Sequence, residues 1–216
     1  MIIVTGDVHG RFGYLNSLIN RHKNKLDLVI CCGDFGYWPN FSDEHKKIKS
    51  PVPVLWCDGN HEDHWAIKKL VEEDNLEIAP NTFYMPRGST YKLKDGRTIL
   101  FMGGADSIDK GQRILGRDWF PEEIISQKDM MNLPDTKVDI FVTHTCPSEL
   151  YPIMARYYSK DREPSNYALS ALWKIYQPSL WFFGHWHCYK EGTLNNTKWY
   201  ALSFAGSGTR WWMEMP

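Results

Sequence analysis

Short continuous apolar runs, each ending at a glycine or a polar residue, set the rhythm of this 216-residue chain. Ile2–Thr5, 28–32 and 53–57 read as buried strands. Between them, residues 11–25 read as a helix with Tyr14, Leu15, Leu18 and Ile19 on one face, and 43–49 as a polar helix halted before Pro51. A third helix, 63–73, can be capped by the Asp63 carboxylate. Strands alternating with helices predict a parallel sheet covered on both faces.

The middle of the chain changes character. Residues 82–85 form a short strand, and 89–93 and Thr98–Met102 flank Lys94-Asp95-Gly96-Arg97, a hairpin signal with Asp-Gly at its centre. Residues 103–131 make a long irregular segment ending in a helix from Pro121, with Glu122 and Glu123 in its first turn. A buried strand at 138–143, a helix over Pro164–Tyr176, and strands at 179–183, 188–194 and 198–204 complete the pattern, with Asn195-Asn196 as the last turn. The length suits one domain over residues 1–216.

Composition narrows the class without naming a function. Apolar content of 43% and charged content of 24% are ordinary for a globular protein. A net charge of -1 counts against long nucleic acid, while leaving room for a local basic groove or a nucleotide-sized substrate. The five cysteines, Cys31, Cys32, Cys57, Cys146 and Cys188, lack zinc-finger spacing and read as small buried hydrophobes of a reducing compartment. The opening Met1-Ile2-Ile3-Val4 reads as a strand rather than a leader, and no apolar run is long enough for a membrane span, so a cytoplasmic protein is expected.

Five short blocks carry the chemistry: Asp7-Val8-His9, Gly33-Asp34, Gly59-Asn60-His61-Glu62, Thr143-His144 and Gly184-His185-Trp186-His187. Each follows a predicted strand, and in open α/β sheets ligands bind beyond the carboxyl ends of the strands. Carboxylate, amide and imidazole side chains are the donors that hard and borderline divalent cations take. There are more of them than one ion can use, which points to a metal pair and to phosphate chemistry. Asp7/His9 and His185/His187 are spaced i, i+2, so on extended chain both members leave one face. Gly33 and Gly59 allow a sharp turn and close approach at the strand end. His61, next to Asn60, is better placed to reach past the metals toward a leaving group.

On these blocks the chain resembles a calcineurin-like metallophosphoesterase. The resemblance implies a two-sheet α/β–β/α sandwich of four layers. It also implies one ion held by Asp7, His9, Asp34 and His187, and a second by Asp34, Asn60, His144 and His185, with Asp34 bridging. The implied reaction is in-line attack on phosphorus by a hydroxide between ions roughly 3.5–4 Å apart, with His61 assisting the leaving group. Asp34 and His61 are thus the expected catalytic pair. Manganese is the expected metal, with iron, zinc and magnesium compatible with the same donors.

The resemblance leaves the ester open. After Asp34 the chain reads Phe35-Gly36-Tyr37-Trp38, without the Asp and Arg found there in the protein Ser/Thr phosphatase branch. The expected partner is a small phosphorylated molecule, a nucleotide among the candidates, with no membrane. A phosphatase or phosphodiesterase, an RNA-processing nuclease, a dinucleoside polyphosphate hydrolase and a non-catalytic scaffold are the competing readings. Arg11, Arg113 and Trp186 are the candidate substrate-binding residues. Arg87, near a strand end, Arg117, in the irregular segment that also holds Asp106 and Asp109, and Trp38 and Trp119 are further candidates whose other reading is structural. Glu62 reads as a support for a histidine or a helix-start carboxylate, and His22, His45 and His64 as surface helix residues. Gly206-Ser207-Gly208-Thr209 reads as a turn.

Overall fold

The computed structural model describes residues 1–131, 133–155 and 163–216. Two six-stranded sheets are built from β1 (Ile2–Thr5), β2 (Leu28–Cys31), β3 (Val54–Trp56), β4 (Glu77–Ala79), β5 (Thr82–Tyr84), β6 (Thr90–Lys92), β7 (Thr98–Met102), β8 (Ile140–Thr143), β9 (Leu180–Phe183), β10 (Lys190–Leu194), β11 (Thr197–Ala201) and β12 (Trp212–Glu214). The first sheet runs β12-β1-β2-β3-β5-β4 and the second β10-β11-β9-β8-β7-β6. Each has four parallel strands at its centre and an antiparallel strand on either edge.

Side-chain alternation along the strands produces the layers. From β2, Val29 and Cys31 join an apolar cluster with Phe12, Leu15, Leu18 and Ile19 of α1 (Phe12–His22) and Ile67 and Leu70 of α2 (His64–Glu72). Leu28, Ile30 and Cys32 leave the other face and meet Ile99, Phe101, Ile140, Val142 and Phe182 of the second sheet. The far face of that sheet, through Leu100, Phe141, Trp181 and Phe183, packs on Leu169, Leu172 and Trp173 of α5 (Pro164–Tyr176). The order is therefore helix, sheet, sheet, helix, as the resemblance implies. The sequence pattern alone predicts helices on both faces of one sheet. A second sheet takes one of those faces, because a period-two strand buried on both sides accepts either kind of cover.

Local signals account for most boundaries. Asp63 caps α2 by accepting from the Ala66 N–H at 3.0 Å. The predicted hairpin forms between β6 and β7 with Gly96 at φ 91°. A capping box between Glu163 and Asn166 opens α5, and Gln177, at φ 47°, closes it.

Several expectations are corrected. Tyr14 is exposed and Phe12 takes its place on the buried face of α1. Residues 43–49 form only a 3-10 turn at Glu44–Lys47. The helix expected from Pro121 breaks into a 3-10 turn at Pro121–Glu123 and the short α3 (Gln127–Met131), because Arg87 draws the carbonyls of Glu122, Glu123 and Ile124 away from helical partners. Edge strands β4 and β12 and the short helix α4 (Tyr151–Met154) carry no clear periodic signal. Four cysteines are buried as expected, Cys188 partly so. Among the described residues no helix is long and apolar enough to cross a membrane.

Candidate metal centre

All the motif residues lie just past the carboxyl ends of parallel strands: Asp7 and His9 after β1, Asp34 after β2, Asn60 and His61 after β3, His144 after β8, and His185 and His187 after β9. The first three ends belong to one sheet and the last two to the other, and the two edges open onto one spot. His9, Asp34, His185 and His187 all have positive φ, from 41° to 68°, a conformation that costs a non-glycine residue on the order of 1–3 kcal/mol. The surroundings hold them there. The N–H groups of Val8 and His9 both donate to the Asp34 carbonyl, at 3.0 and 2.6 Å, and the Asp7 carboxylate accepts from the His185 N–H at 3.0 Å.

Two glycines make this convergence possible. A Cβ at Gly59 would strike the Asp34 carboxylate and the His144 ring, and one at Gly184 would strike the Asp7 carboxylate. The space each glycine leaves is filled by a side chain from a neighbouring strand end, so its role is to let those side chains in.

Donor atoms of Asp7, His9, Asp34 and His187 lie within 4.8 Å of one another. His9 Nε2 is 3.1 Å from His187 Nε2, 3.8 Å from Asp7 Oδ2 and 3.7 Å from Asp34 Oδ2, and His187 Nε2 is 3.2 Å from Asp7 Oδ2. Beside this group, Asn60 Oδ1 lies 3.1 Å from both His144 Nε2 and His185 Nδ1, and His144 Nε2 is 3.3 Å from Asp34 Oδ1. Asp34 therefore turns one carboxylate oxygen toward each group.

The second group is aimed from behind. His144 Nδ1 meets the Cys32 carbonyl at 2.9 Å, and His185 Nε2 meets Glu163 Oε1 at 3.3 Å, so each ring spends its N–H outward and turns a lone pair inward. Asn60 is oriented likewise: its Nδ2 donates to Ser107 Oγ at 3.0 Å, and Ser107 Oγ donates to Glu123 Oε2 at 2.8 Å, which leaves the Asn60 carbonyl oxygen facing the site. Inward-facing acceptors without a donor among them are a poor arrangement for a buried site and a good one for a cation. The donor set fits divalent ions on this ground. Burial opposes a charge on the His144 imidazole, but the Asp34 carboxylate raises it to about 10.

Electrostatics around Asp34 are similarly arranged. Burial opposes its ionisation, yet His144, then His61 and His9, hold it well below the usual carboxylate range. Glu62, fully buried, accepts from the Gly36 and Gly59 N–H groups at 3.0 and 2.7 Å, tying the loop after β2 to the loop after β3. Burial, reinforced by Asp34, lifts it to about 8. Glu62 thus supports backbone rather than a histidine ring.

His61 stands at the edge of the centre. Its main-chain N–H donates to Asp34 Oδ1 at 2.8 Å, its ring meets His9 edge-on with centroids 5.3 Å apart, and its Nε2 lies 3.1 Å from an Arg113 guanidinium nitrogen. Burial pushes the imidazole below its ordinary value against the pull of Asp34, and Arg113 adds to the shift. Arg113 comes from the long irregular segment. Arg11 is exposed and lies over the Phe204 ring at 5.0 Å, with Phe204 against His187.

The other candidates fall into structural places. Arg87 is nearly buried and spends itself on Asp58, Asp129 and three main-chain carbonyls. Arg117 pairs with Asp118 at the surface, and Asp106 with Lys110. Trp186 stands edge-on to Tyr151 and His185 and packs against the outer apolar cluster, while Trp119 donates to Glu123 and Trp38 packs with Phe41 and Phe120. His45 and His64 are buried, contrary to the surface reading, and His22 is partly buried. His64 Nε2 meets the Gly59 carbonyl at 3.1 Å, and burial lowers its imidazole to about 4. Glu163, Ser107 and Glu123 escape sequence reading as parts of the site. The sole sequence trace is the Glu163-Pro164 helix start, a capping signal that says nothing of His185.

A family model described as calcineurin-like phosphoesterase matches residues 1–189. A lariat debranching enzyme from Drosophila pseudoobscura pseudoobscura is 25% identical over 87% of this chain and 42% of its own length. The CWF19-like protein 1 of Pongo abelii is 25% identical over 68% of this chain and 28% of its own. The chain thus spans less than half the length of these curated relatives. Among solved structures, the TT1561 protein of Thermus thermophilus superimposes with a TM-score of 0.59 over 94% of this chain and 89% of that one, at 16% identity, a likeness of fold.

Proposed function

The chain belongs to the calcineurin-like phosphoesterase family, and on that premise we propose that it is a dinuclear metal-dependent hydrolase of phosphate esters. The observation that carries this reading is the position of Asp34. Its Oδ2 lies 3.7 Å from His9 Nε2 and its Oδ1 lies 3.3 Å from His144 Nε2, so one carboxylate serves two donor groups. Asp7, His9, Asp34 and His187 would hold one ion, and Asp34, Asn60, His144 and His185 the other. Bound there, a pair of divalent ions would polarise the phosphoryl group and supply a nucleophilic oxygen at neutral pH.

The chain's own residues supply the rest. Asp34 keeps its charge against burial, the Cys32 carbonyl and Glu163 fix the rings of His144 and His185, and His61 assists departure of the leaving oxygen. A positioned acid of this kind contributes about 10²–10⁴ in rate. Manganese is the proposed metal, and a cytoplasmic location is proposed with it.

A phosphodiester is the favoured ester, because the relatives named lariat debranching enzyme match most of this chain. The deciding experiment is a panel of phosphomonoesters, phosphodiesters, cyclic nucleotides, dinucleotides and short oligonucleotides with the manganese-loaded protein. Asp34→Asn and His61→Gln should each remove most turnover while the far-ultraviolet circular dichroism stays unchanged. Undiminished metal-dependent turnover by His61→Gln would overturn its role, and no turnover of any ester by the loaded wild type would overturn the reading itself.

A further inference from the structure

We propose that Arg113 is a phosphate-binding residue on the leaving-group side of the centre, holding an anionic substrate oxygen between its guanidinium and His61. The proposal rests on the phosphate-ester reading above and deepens it.

The contrast with Arg87 is the starting point. Arg87 shows what a structural arginine looks like here: two bonds to Asp58, one to Asp129 and three to carbonyls, with little left to offer. Arg113 is almost as sheltered, at 12% side-chain exposure, yet it is poorly served. It has a half-exposed Asp109 at 2.8 Å, one long bond to the Asp118 carbonyl at 3.3 Å, and His61 Nε2 at 3.1 Å. Among the described residues its Nε–H has no partner. A guanidinium offers five donors in a flat fork that suits phosphate oxygens.

Its contact with His61 is also a weak reason to keep an arginine. An imidazole nitrogen offers a guanidinium no counter-charge, so as a structural pair it gains little. As a binding pair it is well made: any oxygen that approaches His61 Nε2 arrives within reach of the Arg113 fork, whose donors suit a negative oxygen.

The chain also builds a loop to hold Arg113 there. Gln112 N–H donates to the Asp109 carbonyl at 2.8 Å, Gly116 N–H to the Trp119 carbonyl at 2.9 Å, and Asp118 N–H to the Ile114 carbonyl at 3.1 Å. The Trp65 ring packs against Gly116, where a Cβ would strike it, and Trp119 Nε1 bonds Glu123 at 3.1 Å. A long loop with this much internal structure is characteristic of a functional element.

The test is titration calorimetry of inorganic phosphate into the manganese-loaded full chain, beside steady-state kinetics on the best ester. Arg113→Ala should weaken phosphate roughly tenfold to a hundredfold, the range expected for lost charge-assisted hydrogen bonds, and raise KM by a similar factor at unchanged metal content. Arg113→Lys should recover part of this, as a point charge without the fork. Arg117→Ala, on the same loop, should match wild type. Phosphate affinity within twofold of wild type in Arg113→Ala, equal losses in Arg117→Ala, or a loaded wild type that binds no phosphate would each overturn the proposal. A wild type that hydrolyses no ester, with phosphate affinity still dependent on Arg113, would overturn the esterase reading and support this one.

Discussion

Glu163 Oε1 lies 3.3 Å from His185 Nε2, and the other nitrogen of the same ring faces Asn60 Oδ1 at 3.1 Å. The carboxylate therefore decides which nitrogen of His185 carries its hydrogen and which turns inward. Burial opposes the charge on Glu163, but His185 and the Asp106 N–H hold it below its ordinary value. Removing such a support behind a metal-binding histidine typically costs about 10–100-fold in metal affinity. Glu163→Ala should show that loss for one of two ions in a manganese titration, with Glu163→Gln between it and wild type. Equal weakening of both ions would argue for a general collapse of the site.

A second prediction concerns the pair beneath the site. Arg87 and Asp58 meet at 2.6 Å, nearly or fully out of water, and Tyr84 donates to Asp58 at 2.8 Å. Asp58→Asn leaves the guanidinium without its main counter-charge, a change that costs about 3–5 kcal/mol for buried pairs. Urea unfolding should show that loss, and because Arg87 also ties down the carbonyls of Glu122, Glu123 and Ile124, limited proteolysis should cut the 103–131 segment faster.

The pH dependence of stability carries a signature of Glu123. Burial raises its carboxyl from 4.5 to about 7, against the hydrogen bonds from Ser107 and Trp119. The folded state thus holds this proton more tightly than the unfolded chain does. Its contribution to stability is full below pH 4.5, falls as the pH rises toward about 7, and is constant above that. Replacing it by Glu123→Gln should remove that decline, so the difference in unfolding free energy between variant and wild type should change across this window and level off above it.

Glycine tests separate packing at the site from helix propensity. At Gly184 an added Cβ runs into the Asp7 carboxylate, whereas at Gly13, inside α1, it meets nothing. Gly184→Ala should lower the affinity for metal and destabilise the fold. Gly13→Ala should leave metal binding alone and stabilise by about 0.5–1 kcal/mol. Thermal unfolding with and without manganese distinguishes the two.

What could be read in the chain had a local cause. The runs ending at Thr5, Cys32 and Thr143 are apolar because their strands are buried on both faces, and the Asp95-Gly96 turn and the Asp63 cap act over four residues or fewer. Misreadings arose where distant partners intervene. His64 looks like a surface helix residue until Phe120, more than fifty residues later, packs against it, and the helix expected at Pro121 is dismantled by Arg87, more than thirty residues earlier.

The sequence by itself determined the strand ends, the order of the five blocks and the kind of donor each supplies, because strand period and side-chain chemistry are properties of neighbouring residues. Only the tertiary structure decided which donors meet, which way their rings face, and that Glu163, Ser107, Glu123 and Arg113 stand behind or beside them. Most of those relationships join residues separated by 16 to 178 positions, and they exist only once two sheets have packed and brought their strand ends together.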